Sequence, residues 1–193
     1  MPESKQEPGR FRAFLAIDIP SGVKDRISAI SGELDDSFVR PVSRDNLHVT
    51  LLFLGDIDSD MSNRVMRMMD TVDDASFDVS LAGVGSFPED FPNVIFVNVT
   101  KGADRMSRIY DTLCEGASSI GIRIENRRFT PHITIGRVKR HNSNIRMRLL
   151  DFIDEHSLED FGGFRCNNIA LKKSVLTENG PIYEDIYRDI LHP

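Results

Sequence analysis

The chain has 193 residues, a formal net charge of −6, and 40% hydrophobic and 28% charged content. That is an ordinary globular composition, long enough to bury about 70% of the surface of the unfolded chain. No apolar run approaches the ~18 residues that cross a membrane, and an acidic balance argues against broad, nonspecific nucleic-acid binding, which runs on excess positive charge.

Residues 1–10 read as a disordered tail, because Met1 to Gly9 is polar, carries Pro2 and Pro8, and lacks the apolar centre of a signal peptide. Residues 11–193 read as one domain. Apolar density predicts a first strand over Phe11–Ile19. Behind Pro20 and Ser21, Val23, Ile27, Ile30 and Leu34 recur at helical spacing. A strand follows at His48–Leu54, and a helix after Asp60 carries Val65, Met68, Met69 and Val72. Two strands are expected at Phe77–Leu81 and Val94–Val99. The cleanest helical stripe comes next: Met106, Ile109, Tyr110, Leu113, Cys114 and Ala117. A strand at His132–Val138 precedes a fourth helix marked by Ile145, Leu149, Phe152 and Ile153, with Ser143 as its N-cap. Strands at Asn168–Leu176 and Tyr183–Arg188 close the chain. Irregular alternation of about seven strands with four helices predicts an α+β fold with antiparallel sheets.

One pattern occurs twice. His-Val-Thr-Leu stands at His48–Leu51 and His-Ile-Thr-Ile at His132–Ile135. Strand alternation places His48 and Thr50 on one face, with Val49, Leu51 and Phe53 on the other; His132 and Thr134 share a face backed by Ile133 and Ile135. Each copy has a turn-former just before the histidine and a glycine closing the strand, Gly55 and Gly136. Two such pairs point to one pocket built from two similar halves. The other histidines, His141, His156 and His192, have no matching threonine and read as surface residues. Between Gly121 and Arg140, six basic residues (Arg123, Arg127, Arg128, Arg137, Lys139, Arg140) face one acid, Glu125. A basic mouth on an acidic body suits a small phosphate or an RNA end. The chain lacks a Gly-x-Gly-x-x-Gly and a Walker loop, so neither dinucleotide nor NTP cradling is indicated. The pairs Asp35-Asp36 and Asp73-Asp74 fall on turns or helix ends, so no metal and no cofactor is expected. Cys114 and Cys166 have no metal or redox spacing, which favours a reducing cytoplasm, with Cys114 buried on its helix.

Four stretches, in order and spanning nearly the whole chain, carry a resemblance. Arg12–Pro20 is similar to the opening strand, Asn46–Gly55 to the first motif, Phe129–Arg137 to the second, and Ser174–Tyr183 to the closing segment of the two-histidine (2H) phosphoesterases, in particular their RNA 2′,3′-cyclic phosphodiesterase branch, also called 2′-5′ RNA ligases. One departure is that Arg40–Arg44 offers no aromatic residue where the family often has one. The resemblance implies two pseudo-symmetric ferredoxin-like lobes flanking a central cleft, each presenting one His-x-Thr strand. It implies metal-independent hydrolysis of an RNA 2′,3′-cyclic phosphate to a 2′-phosphate, with His48 as proton donor and His132 as proton acceptor. The sequence itself cannot order two equivalent histidines. It also implies that Arg137 contacts phosphate, although strict alternation would put Arg137 on the opposite face unless the strand ends or bulges after Gly136. Phe14 matches a family aromatic near the base, with ordinary core packing as the other reading, and Tyr183 reads as structural.

The chemistry is coherent on its own terms. Two imidazoles facing one site can divide acid and base roles near neutrality, and each threonine hydroxyl can donate to a phosphate oxygen. Reversal of the reaction would join RNA ends through a 2′-5′ linkage. The alternative is a nucleotide- or RNA-end-binding module of the same fold without turnover; a third reading keeps catalysis on a 2′-5′ oligonucleotide or a small cyclic nucleotide. Binding alone would not need two titrating groups, which favours the enzyme. The expected partners are RNA ends or small cyclic nucleotide phosphates. No obligate protein partner is indicated, so the chain is expected to be a monomer.

Overall fold

The computed structural model describes residues 9–124, 128–178 and 180–193. Residues 1–8 of the tail expected at 1–10, and Glu125 and Arg127 of the basic stretch, lie outside the described residues. The elements in chain order are β1 (Phe11–Asp18), α1 (Ser21–Ser31), β2 (Val39–Pro41), a 3₁₀ turn (Arg44–Asn46), β3 (His48–Ile57), α2 (Ser59–Met69), β4 (Phe77–Phe87), β5 (Val94–Lys101), α3 (Ala103–Ser119), β6 (His132–Val138), α4 (Ser143–Glu155), β7 (Asp160–Cys166), β8 (Asn168–Thr177) and β9 (Gly180–Ile190).

Among the described residues the strands join in one antiparallel sheet, ordered β7-β4-β5-β6-β3-β1-β8-β9, with β2 pairing the end of β6. This order is a palindrome in kind. One half contains the run β1-α1-β3 and the other the run β5-α3-β6, and the two His-x-Thr strands, β3 and β6, are the inner neighbours where the halves meet. They pair at Val49 with Ile133. Running on from that pair by one residue each way, the antiparallel register sets His48 opposite Thr134 and Thr50 opposite His132.

The helices cover the back of this sheet and tie its halves together. α1 packs against β6 and β7, whereas α3 packs against β3 and β5. Arg26 of α1 reinforces the first contact by donating to the Phe161 carbonyl at 2.8 Å. The apolar faces predicted for the motif strands lie in this core: Val49, Leu51, Ile133 and Ile135 are buried together with Met106, Ile109 and Leu113 of α3. No helix among the described residues is long and apolar enough to cross a membrane.

Three local expectations change. The N-cap of α4 is Asn142, whose side chain accepts from the Ile145 amide at 2.8 Å, and not Ser143, which begins the helix. Cys114 is half-buried at the edge of its stripe. His156 is buried, not exposed: it lies against Phe152 at the end of α4, and its Nε2 is 3.4 Å from Glu33 Oε2 without hydrogen-bond geometry. The sequence around it is polar, but helix packing closes over the ring.

Candidate active site

Each motif strand departs from strict alternation just after its threonine. Along β3, Ala16 pairs with Thr50 and Leu15 with Leu52, so Leu51 is an extra residue. Along β6, Phe96 pairs with Thr134 and Ile95 with Gly136, so Ile135 is extra. Each bulge turns two consecutive residues inward, Leu51-Leu52 and Ile135-Gly136, all buried. The next residue then returns to the histidine face. In β3 that residue is Phe53, and the sequence expectation that it points into the core is wrong, since its side chain is 67% exposed. In β6 it is Arg137, also exposed. The bulge that re-aims Arg137 lies one residue earlier than the position at which alternation required it. Gly136 is needed there because a Cβ would meet Val39 Cγ1 at 2.8 Å and Leu34 Cδ1 at 3.0 Å.

The two imidazoles are held in the same way. His48 Nδ1 lies 2.7 Å from the Asn46 carbonyl, and His132 Nδ1 lies 2.7 Å from the Thr130 carbonyl. A carbonyl only accepts, so both Nδ1 atoms carry protons, and in each neutral ring Nε2 is the free basic nitrogen. Thr50 Oγ1 is 2.9 Å from His48 Nε2 and is the donor in that contact. Each histidine also stands between two rings. His48 meets Phe14 at 5.0 Å and Tyr183 at 5.2 Å between centroids, and His132 meets Phe96 at 5.0 Å and Phe87 at 5.2 Å. Phe14 and Phe96 come from β1 and β5, the first strands of the two repeats. The Asn46 side chain donates to the Pro181 carbonyl at 2.7 Å, which fastens the turn before His48 to the hairpin that carries Tyr183.

Burial sets the electrostatics. It pushes the His48 pKa down to about 4, against the Asn46 carbonyl, which favours the charged ring; Lys172 pushes it further down. His132 is lowered as well, chiefly by burial, with the Thr130 carbonyl opposing and Arg137 assisting. Burial raises the Tyr183 phenol above its ordinary value, and Arg137 opposes that shift. The charge of Arg137 therefore acts on groups from both halves of the sheet. Behind Phe14, the buried Lys172 ammonium is 2.9 Å from Asp18 Oδ1 and also pairs with Asp185; Arg188 is 2.7 Å from Asp18 Oδ2 and pairs with Asp185 too. Burial works against the Asp18 carboxylate, yet Lys172 and Arg188 hold it below the usual carboxylate range.

The structure thus brings His48, Thr50, His132, Thr134 and Arg137 onto one face of two adjacent strands. Phe14 is there as well, but only 3% exposed, so it backs His48, and Phe53, at 6.2 Å, is the ring that opens to solvent on this wall. Sequence reasoning missed Phe53, Phe87, Phe96 and Lys172 and gave Tyr183 no place beside His48. Aligning the two repeats would have revealed Phe53, because it occupies the position of Arg137; Phe96 aligns with Ala16, so the repeat gives no signal for it.

Comparison with known proteins agrees with this architecture. A family model described as the 2′-5′ RNA ligase superfamily matches residues 19–174. The RNA 2′,3′-cyclic phosphodiesterase of Archaeoglobus fulgidus is 34% identical over 178 residues, covering 91% of this chain and 98% of that protein. The protein of the same name from Methanocaldococcus jannaschii is 34% identical over 177 residues, with the same coverage of 91% and 98%. Among solved structures, Escherichia coli LigT complexed with 3′-AMP superposes with a TM-score of 0.77 at 21% identity, covering 94% of this chain and 98% of LigT, which shows a shared fold. With a superfamily match across most of its length and relatives at this identity, the chain belongs to the 2′-5′ RNA ligase superfamily, whose fold its doubled His-x-Thr strands build.

Proposed function

We propose that this protein hydrolyses RNA 2′,3′-cyclic phosphate ends to 2′-phosphomonoesters without a metal ion. The observation that carries the reading is the matched pair of imidazoles on adjacent strands, each with Nδ1 spent on a backbone carbonyl and Nε2 left for chemistry. The relatives named for this activity cover nearly the whole chain, which supports it.

In the proposed reaction, neutral His132 takes a proton from water at Nε2, the hydroxide attacks phosphorus, the P–O3′ bond breaks, and the imidazolium of His48 gives its Nε2 proton to the departing 3′-oxygen. The cyclic diester and one water become a 2′-phosphate and a 3′-hydroxyl. Thr50 and Thr134 donate to nonbridging oxygens, and Arg137 balances their charge. Thr50 is coupled to this cycle: once His48 Nε2 carries a proton it no longer accepts from the Thr50 hydroxyl, which is then released to donate to phosphate. Run backwards, the same steps join ends through a 2′-5′ linkage. Two imidazoles supply the acid and the base, so the scheme calls for no Lewis acid.

On this proposal the RNA end is the substrate and the protein acts as a monomer, and two free cysteines suit a reducing cytoplasm. The test is incubation in EDTA with 2′,3′-cyclic, 3′,5′-cyclic and 2′-5′-linked substrates. Turnover of the 2′,3′-cyclic ends to 2′-phosphates supports the proposal. Activity that vanishes in EDTA and returns with a divalent cation contradicts it, and binding without turnover favours the module that only holds RNA ends.

A further inference from the structure

The loops beyond the His132 side of the site carry a feature that hydrolysis does not use. Phe91, in the loop from β4 to β5, is 47% exposed, and its ring stacks on that of exposed His141, in the loop from β6 to α4, at 4.6 Å between centroids and 24° between planes. Stacked aromatic rings open to water leave a large apolar face unsatisfied. The pair is not on floppy chain. Arg146 of α4 donates to the Asp90 carbonyl at 2.7 Å, and the Asn93 amide donates to the Phe87 carbonyl at 2.9 Å. The Val138 amide donates to the Asn93 carbonyl at 2.9 Å, joining one loop to the other, and Asn142 caps α4 directly after His141.

Two further facts indicate what the pair is for. The loop bearing Phe91 begins at Phe87, the ring 5.2 Å from His132; four residues of chain reach at most about 14 Å, so the pair lies one or a few nucleotides from the reacting phosphate and not on it. Between His132 and His141, Arg137 on β6 and Arg140 in the loop that follows it are both exposed, and neither makes an ion pair or side-chain hydrogen bond among the described residues. Glu89 and Asp90 lie on the Phe91 loop and oppose this charge, so the path for a polyanion runs along β6 and not over the loop tip. A flat aromatic surface beside unpaired guanidinium groups matches single-stranded RNA, where bases stack and phosphates take the cations.

We propose that Phe91 and His141 form a stacking platform for a base upstream of the cyclic phosphate, with Arg137 and Arg140 along the backbone, so that the protein prefers an oligonucleotide end to a mononucleotide. This rests on the hydrolytic reading of the same site. The platform binds a neighbouring nucleotide, so it acts on KM for long substrates and leaves the chemistry alone.

The test compares a tetranucleotide ending in a 2′,3′-cyclic phosphate with a nucleoside 2′,3′-cyclic monophosphate, using the wild type, the double variant Phe91→Ala with His141→Ala, and Phe91→Trp. The platform predicts an increase of about 10-fold in KM for the tetranucleotide in the double variant, an unchanged value for the mononucleotide, and retention of tight binding in Phe91→Trp. An equal change for both substrates, or none for the tetranucleotide, overturns it. Fluorescence anisotropy with a 3′-phosphorylated tetranucleotide reads the same platform without turnover. Weaker binding by the double variant supports the platform even if no cyclic substrate is hydrolysed, an outcome that would remove the hydrolytic reading alone. Unchanged binding removes the platform and leaves hydrolysis standing. Thermal melting of the variants excludes unfolding as the cause.

Discussion

His48 stands between Phe14 and Tyr183 with the Lys172 ammonium among its neighbours, whereas His132 has Arg137 on its side. In the free enzyme these surroundings disfavour the imidazolium, at His48 with a pKa of about 4. A donor needs its proton, and a bound phosphate monoanion supplies the reason to hold one, since an oxyanion against Nε2 favours the charged ring. An NMR titration of the His48 ring should therefore move upward on saturation with inorganic phosphate; no movement would separate His48 from phosphate. Lys172→Met removes a cation that disfavours the imidazolium; Asp18, which favours it, stays paired with Arg188, and Lys24 remains as an opposing cation. The His48 pKa should rise, and the pH profile of kcat/KM should move to higher pH with it. The same shifts affect stability. His48 and His132 bind fewer protons folded than unfolded below the ordinary histidine value, so stability falls as the pH drops from about 6.5 toward the lowered values, reaching about 4 for His48. Melting temperature against pH should show this loss, and His48→Gln should flatten it. Thr50→Val keeps the shape and deletes a donor, so phosphate binding and turnover should weaken together.

At the scale of elements, the bulges in β3 and β6 decide what the site contains. If the strands alternated strictly through Leu51 and Ile135, with no bulge, Phe53 and Arg137 would face the core. The first strand of each repeat, the two motif strands and the four helices were legible in the sequence because their apolar spacing is regular. The bulges were not, because Leu51-Leu52 is as apolar as an alternating strand allows and nothing local marks the residue that slips. β7 escaped notice for a different reason: Asp160–Cys166 contains Gly162 and Gly163 and is held as a strand by pairing with β4, a contact distant in the chain. A Gly163 Cβ would meet the Val79 carbonyl at 2.3 Å, so the glycine that weakens the strand signal is what permits the pairing. The inward residues should report on stability. Ile133→Ala, at a fully buried position, should cost about 2–5 kcal/mol in denaturant melts. Gly136→Val should also destabilise, and should lower activity in the folded fraction by disturbing the bulge that aims Arg137.

For the whole molecule, the two halves of the sheet pair through Val49 and Ile133, and the polar groups of both halves converge over that seam. A phosphate bound there touches both halves and so stabilises their union. Inorganic phosphate should raise the melting temperature in proportion to the logarithm of its concentration above Kd, and Thr134→Val should reduce that increase. The palindromic strand order was foreshadowed by the doubled motif; the continuity of the halves in one sheet was not, since a single pair of residues joins the inner strands. The central claim is that two histidines, one from each half, exchange protons with one substrate. The most direct measurement is single-turnover hydrolysis of a 2′,3′-cyclic RNA end in EDTA by the wild type, His48→Ala and His132→Ala, with melting curves at the same pH. The account predicts rates lowered by about 10²–10⁴-fold in both variants, little change in ground-state binding, and folding intact at neutral pH. Near-normal rates in the folded fraction of either variant would contradict it.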